Sequence, residues 1–321
     1  MSMERTEIVK FFLKNGIQLT PIALDIIFRR QDVMDKIIEF VKNKGLWIID
    51  EGIIEEFFRS LEPYEQINIE IIYPEELGEF SVDDVNKVLK ERFEILSRII
   101  QENNKLKELA SLSKVKKFKD NEEAVVIGII RDKAVYSILL EDFTSHEIIN
   151  MDSKNVEKLF YDDIIAVKIR KEGEKLVGDK IFFPSLSFFR KVATLDKEVI
   201  ISTFEIKIGE KVYKVMEEDI VRVYINGFKL FLLNNSIIEK YKKSDEREID
   251  VLISLLERRH LNPSLFISRK IFKKDLFLIE EVPDAIVIRH SKEFFYRPHK
   301  GVNLFFLPDG KKLYLKEKKV E

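Results

Sequence analysis

The sequence predicts an α+β chain of several domains, and three observations carry that expectation. Its 321 residues exceed one ordinary domain. The hydrophobic period is helical up to about residue 112 and shifts to alternating or continuous apolar runs beyond it. Turn-forming residues then cut the second stretch into short strands. Composition narrows the class further. Hydrophobic residues make up 45%, enough for a core, and charged residues 35%, where roughly a quarter is usual. Abundant Lys, Glu and Ile with no cysteine fit a thermophile's surface of ion-pair networks. The absence of cysteine excludes disulfides, thiolate zinc sites and cysteine nucleophiles. No apolar run approaches the ~20 residues of a membrane span and no signal peptide opens the chain, so a soluble cytoplasmic protein without a membrane partner is expected.

Residues 1–61 read as a helical bundle. Ile8, Phe11 and Phe12 form an apolar stripe that Asn15-Gly16 ends. Thr20 caps a second helix with Pro21 in its first turn, and its core face is Leu24, Ile27 and Phe28. A third carries Val33, Met34, Ile37, Ile38 and Val41 and stops at Lys44-Gly45. Asp50 caps a fourth, with Ile53, Ile54, Phe57 and Phe58. A docking module and an autonomous cap are both open readings. Residues 62–80, rich in Glu and holding Pro63 and Pro74, read as a linker with one strand at Ile67–Ile72. Ser81 then caps a long helix over 81–112, with Asp83 and Asp84 suiting the dipole of its first turn.

Residues 113–186 switch to strands. Ala124–Ile130, Ala134–Glu141 and His146–Met151 precede a helix at Ser153–Phe160, and Ile164–Arg170 and Lys175–Phe182 follow it. Three strands, a helix and two strands is the order of an OB-fold barrel, with Gly128 where the first strand must bend. Its candidates for a nucleic-acid groove are Arg131 and Lys133, with Tyr136 and Phe143, among the acids Asp132, Glu141 and Asp142.

Several stretches beyond these carry a family likeness: Leu19–Ala23 and Phe40–Ile49 near the start, and Val125–Ile130, Leu139–Thr144 and Lys180–Pro184 around the barrel. The most specific are Leu256–Pro263 and Asp275–Asp284, the latter containing Ile-Glu-Glu-Val-Pro-Asp. In these the chain resembles the small, B-type subunit of archaeal family D DNA polymerase. The resemblance implies that residues 187–321 are a reduced metallophosphoesterase-like α/β domain. In the active family this is a calcineurin-like phosphodiesterase with 3′→5′ exonuclease activity and two metal ions.

The family's motifs run Asp-x-His, Gly-Asp, Gly-Asn-His-Asp, a lone His and Gly-His-x-His. At the first, Glu205 and Lys207 stand in place of Asp and His, and an ammonium cannot ligate a metal. No Gly-Asn-His occurs, Asn234 or Asn235 matches the lone His, and the last motif reads Arg289-His290-Ser291-Lys292. The chain's four histidines fall short of the number those motifs require. Glu205, Lys207, Asn234, His290 and Lys292 therefore mark degenerate metal positions, with Lys207 or Lys292 expected to supply the lost positive charge through a salt bridge. No catalytic residue, metal or cofactor is expected.

Two further groups of residues bear on partners. Arg258, Arg259, Arg269, Lys270, Lys273 and Lys274 are candidate phosphate contacts. Phe294, Phe295, Tyr296 and Arg297 are a candidate partner interface, because one member of each aromatic doublet in a strand faces away from the shared core. The adjacent pairs Asp162-Asp163 and Glu280-Glu281 read as solvated or as pairing surface lysines. Charge is uneven: residues 1–113 hold 15 basic and 22 acidic side chains, residues 239–321 hold 19 and 14, as suits a protein between different partners. The expected function is a non-catalytic scaffold subunit of a DNA replication complex, nucleoid-associated, whose partner is the catalytic subunit of a DNA polymerase or primase assembly, with DNA as a further candidate. The alternatives are a stand-alone OB-fold nucleic-acid-binding protein and, third, a residual 3′→5′ exonuclease.

Overall fold

A computed structural model describes residues 3–61, 67–187, 192–195, 197–264 and 272–321. The chain divides into two compact units, residues 1–67 and 68–321.

The first unit is helical. Its elements are α1 (Arg5–Lys14), β1 (Gln18–Leu19), α2 (Pro21–Arg29), α3 (Met34–Asn43), β2 (Ile48–Ile49) and α4 (Glu51–Leu61), with a 3-10 turn at Gln31–Val33. The caps act as their residue types dictate. Thr20 Oγ1 accepts the Ala23 N–H at 3.3 Å and Asp50 accepts the Ile53 N–H at 2.9 Å. Gly16 and Gly45, at φ +75° and +66°, end α1 and α3. Ile8, Phe12, Ile27, Ile37, Val41 and Ile49 are fully buried in one core. In α2, Ala23 joins Ile27 inside, while Phe28 stays on the surface. β1 and β2 pair in parallel.

The second unit begins with β3 (Ile69–Ile72), then α5 (Val82–Asn104) and α6 (Leu112–Val115). The strand expected inside the linker is thus a member of a sheet, and residues 62–66 lie outside the described part. A reciprocal Ser81–Asp84 capping box opens α5, and Lys105 in the left-handed region closes it, earlier than residue 112. The barrel follows: β4 (Glu123–Ala134), β5 (Ser137–Glu141), β6 (His146–Asn150), α7 (Ser153–Val156), β7 (Ile164–Glu172) and β8 (Lys175–Phe182). It closes in the order β4-β5-β6-β8-β7, with α7 between the third and fourth strands, which is OB-fold topology. At Gly128 a Cβ would lie 2.5 Å from Leu140 Cγ and 2.9 Å from the Glu141 carbonyl, so only glycine lets β4 pass from β7 to β5. Leu96, Ile99 and Ile100 of α5 pack on Ile127, Ile129 and Ile164 outside the barrel.

The remaining elements are β9 (Val199–Ile201), β10 (Glu205–Ile208), β11 (Lys211–Lys214), β12 (Ile220–Ile225), β13 (Phe228–Asn234), α8 (Asn235–Tyr241), α9 (Glu248–Glu257), β14 (Ala285–Ser291), β15 (Phe295–His299), β16 (Val302–Pro308), β17 (Leu313–Tyr314) and β18 (Lys319–Val320). A six-stranded sheet runs β15-β16-β14-β13-β12-β3, parallel across β13, β14 and β16. Its central strands are buried on both faces, and α8 and α9 cover one of them through Ile237, Ile238, Leu252 and Leu255. A second sheet of five runs β11-β10-β9-β17-β18. Among the described residues, no helix is long and apolar enough to cross a membrane.

Candidate functional site

The five positions read as degenerate metal ligands do not converge. Glu205 and Lys207 alternate with buried Ile206 and Ile208 on β10, so both point to the same solvent face. Asn234 caps α8, its Oδ1 accepting the Ser236 N–H at 2.9 Å. Lys292 is exposed and lines a groove with Lys242, Glu248 and Phe295. His290 follows Arg289, which stands opposite Asn234 where the parallel pairing of β13 and β14 ends. It takes φ +61°, a strained value for a non-glycine residue, where β14 shifts register against β16. Its Nδ1 lies 2.9 Å from Asp309 and its Nε2 3.6 Å from Glu217. Among the described residues, no group of three His, Cys, Asp or Glu could hold a metal ion.

The expected salt bridge through Lys207 or Lys292 is likewise not formed: neither lysine ion-pairs with Glu205 or with any other described acid. A different cation occupies this end of the sheet. Arg289 is fully buried and donates to three backbone carbonyls, those of Thr203 (3.1 Å), Met216 (3.2 Å) and Glu218 (2.8 Å). Burial pushes its pKa below the usual arginine value. The guanidinium thereby ties the loop after β9 to the segment before β12. A charged residue closing the apolar run Ala285-Ile286-Val287-Ile288 was the available signal for it.

The candidate phosphate contacts need correction. Arg258 and Arg259 are 5% and 7% exposed and face inward. The Arg258 Nε donates to both oxygens of Asp163, at 3.1 and 3.0 Å, and its guanidinium lies between the Phe160 and Phe183 rings. Arg259 donates to the Ser185 carbonyl at 3.0 Å. Asp163, read as solvated, is buried beneath Arg258, and burial raises its pKa. On the barrel, Arg131 pairs with Glu141 at 2.5 Å and Asp162 at 3.3 Å. Lys133 reaches the Leu159 carbonyl, and burial lowers its pKa. Lys273 pairs with Glu75 at 2.7 Å on the surface, and Lys274 is exposed. Arg269 and Lys270 lie outside the described residues.

The motif Leu256–Pro263 is therefore a junction. Arg258 reaches the barrel through Asp163, and the next residues reach α5. His260 Nε2 lies 2.8 Å from Asp275, which also accepts from Arg92 of α5 at 2.7 and 3.1 Å. The Asn262 N–H donates to His260 Nδ1 at 3.1 Å, so the ring is neutral and presents its Nε2 proton to Asp275. Burial, with Arg92 adding, pushes the His260 pKa down to about 4. Burial works to raise Asp275, but His260 and Arg92 overcome it and hold the carboxyl below its ordinary range.

The expected aromatic interface is only partly outward. Phe295 is 44% exposed, whereas Tyr296 stacks on Phe305 at 4.9 Å and Arg297 lies 3.7 Å from Asp250. Phe294 is half-buried, and Phe305 and Phe306 are both buried, since that sheet is covered on both faces. The sequence reading missed the outer face of β5 and β6. Leu139 stands opposite Ile148, which is 61% exposed, and Val135 and Tyr136 in the adjoining turn are 66% and 68% exposed. Neither strand carries a lysine or arginine. Apolar residues in a two-residue strand connection, where glycine or asparagine is usual, were the signal.

This chain is similar to a DNA polymerase small subunit. It is 20% identical over 347 aligned positions to the DNA polymerase II small subunit of Thermoplasma acidophilum, covering 99% of this chain and 69% of that protein. No protein-family profile matches. Among solved structures, the telomere capping protein Ten1 from Saccharomyces pombe is 15% identical over 23% of this chain and 77% of its own, with a TM-score of 0.20. The S. pombe Stn1–Ten1 complex gives 15%, 23%, 72% and 0.21 in the same measures. Likenesses that slight carry no weight for fold or function.

Proposed function

We propose that this chain is a non-catalytic accessory subunit of a DNA replication complex, an inactivated relative of the polymerase small subunits that scaffolds a polymerase or primase subunit. Residues 187–321 are on this reading a reduced phosphodiesterase-like domain. The observation that carries it is Arg289. Where the resemblance expects the glycine of a Gly-His-x-His metal motif, a buried guanidinium is held through its two terminal nitrogens by the carbonyls of Thr203, Met216 and Glu218. A fixed cation there opposes the binding of divalent metal ions by charge repulsion. The scattered placement of Glu205, Lys207, Asn234 and Lys292 supports the same conclusion.

The scaffold reading is favoured over a single-strand binder because, of the basic residues proposed for DNA, Arg258 and Arg259 are buried and Arg131, Lys133 and Lys273 are engaged, which leaves Lys274 alone among the described ones exposed and unpaired. The barrel's β5–β6 face, where OB-folds take oligonucleotides, offers aliphatic surface in place of cations. The test is recovery of the tagged chain from native extract with nuclease present. Stoichiometric recovery of a polymerase or primase subunit is expected, and recovery of the chain alone would sink the proposal. In parallel, a labelled oligonucleotide incubated with the chain and Mn²⁺ should keep its 3′ end.

A further inference from the structure

The five-stranded sheet has one buried face, formed by Val199, Ile201, Ile206, Ile208 and Leu313. Its opposite face is built in two rows. Across the whole sheet, Val212 stands opposite Lys207, Lys207 opposite Ile200, Ile200 opposite Tyr314 and Tyr314 opposite Lys319. The second row starts with Lys214 opposite Glu205. It continues through Ser202, whose N–H donates to the Glu205 carbonyl, to Lys312 and Glu321, which exchange backbone hydrogen bonds. Four lysines thus stand against two glutamates in these rows, Lys319 being paired with Glu317 at 2.7 Å and Glu321 at 3.9 Å.

Antiparallel sheets tolerate a wet face, so exposure alone decides nothing. What decides is the pattern. Val212 is 52% exposed, and Ile200 and Tyr314 are only half-buried, so aliphatic and aromatic surface crosses the middle of the sheet. Lys207, Lys214 and Lys312 flank it and form no ion pair with any described acid. Segments 204–214 and 311–321 are far apart in sequence, and only the sheet order brings their lysines onto one face.

We propose that this face docks an amphipathic acidic protein segment, its apolar side on Val212, Ile200 and Tyr314 and its carboxylates on the flanking lysines. Complementary charge beside an apolar strip that a partner can desolvate is the pattern of amphipathic-helix recognition. Single-stranded nucleic acid fits less well. Lys319 lies over the Tyr314 ring at 5.3 Å and Glu321 accepts its hydroxyl proton at 3.0 Å, so the sheet's aromatic is not a free stacking platform. The proposal does not rest on the replication reading, since it needs only this sheet.

The experiment is fluorescence anisotropy with the full chain and a labelled helical peptide bearing leucine on one side and glutamate on the other. The comparison ligands are a lysine-for-glutamate twin of that peptide and oligothymidylate. Saturable binding of the acidic peptide is expected, weakened at least about tenfold by Lys207→Glu and by Val212→Asp. Lys175→Glu, at the start of the barrel's β8, should leave it unchanged. Thermal melts of each variant check that the fold survives, and Val212→Thr offers a milder second probe of the apolar strip. No saturable binding, or binding indifferent to both substitutions, would overturn the proposal. So would oligothymidylate proving to be the ligand that those substitutions release.

Discussion

Two regions of the second unit use their charged residues differently. At the junction of α5, the barrel and α9, buried Arg258 and Asp163 form one hydrogen-bonded pair, and buried Arg92 and His260 meet on Asp275 in a second group. At the strand ends where a metal site is expected, Glu205 and Lys207 face solvent on β10, Asn234 spends its side chain on the α8 cap, Lys292 is exposed, and Arg289 is tied to the backbone. The junction residues hold packing together, so folding itself demands their mutual geometry. Metal ligands place no such demand on folding, and their positions can drift without unfolding the chain.

The sharpest way to break that contrast is to remove one junction partner. Asp275→Ala leaves the Arg92 guanidinium buried without its carboxylate, and a loss of about 3–5 kcal/mol is expected in urea unfolding of the second-unit transition. A loss under about 1 kcal/mol would mean the network is dispensable. Arg289→Ala comes next. It strands the carbonyls of Thr203, Met216 and Glu218, and about 2–4 kcal/mol should be lost by the same measurement, with no gain of Mn²⁺-dependent nuclease activity.

The third prediction concerns pH. His260 has a folded pKa of about 4, against ~6.5 for an unfolded histidine. Between those values the unfolded chain binds a proton that the folded chain does not, so stability is full above the upper value and falls as pH drops toward the lower. At pH ~5 the loss from this residue should be about 2 kcal/mol, and His260→Gln should flatten the slope. The smallest effect belongs to the dispersed positions. Glu205→Ala and Asn234→Ser, the latter keeping a capping oxygen, should each change stability by less than about 0.5 kcal/mol.

Much of the fold is legible in the residues because local rules act there without help. Thr20, Asp50 and Ser81 satisfy helix N–H groups whatever surrounds them, and Gly16 and Gly45 end helices because only glycine takes those angles readily. The barrel's strands and the bend at Gly128 follow from alternation and from the strand-helix-strand order. The candidate site was less legible. Arg258 and Arg259 look like surface cations in sequence, and nothing local shows that Asp163, 95 residues earlier, waits beneath one of them. Phe305-Phe306 alternates like a half-exposed strand, yet both rings are inside because a second layer covers the sheet.

The sequence by itself determined the helical start, the closed barrel and the absence of cysteine chemistry. Each depends on residue type at short spacing. Only the tertiary structure decided which charges are buried partners and which remain free, that Arg289 is held by three carbonyls, and that Lys207 and Lys312 share one face. Those outcomes depend on contacts between segments separated by tens to hundreds of residues. Burial and pairing are properties of the folded neighbourhood, and a side chain's identity does not carry them.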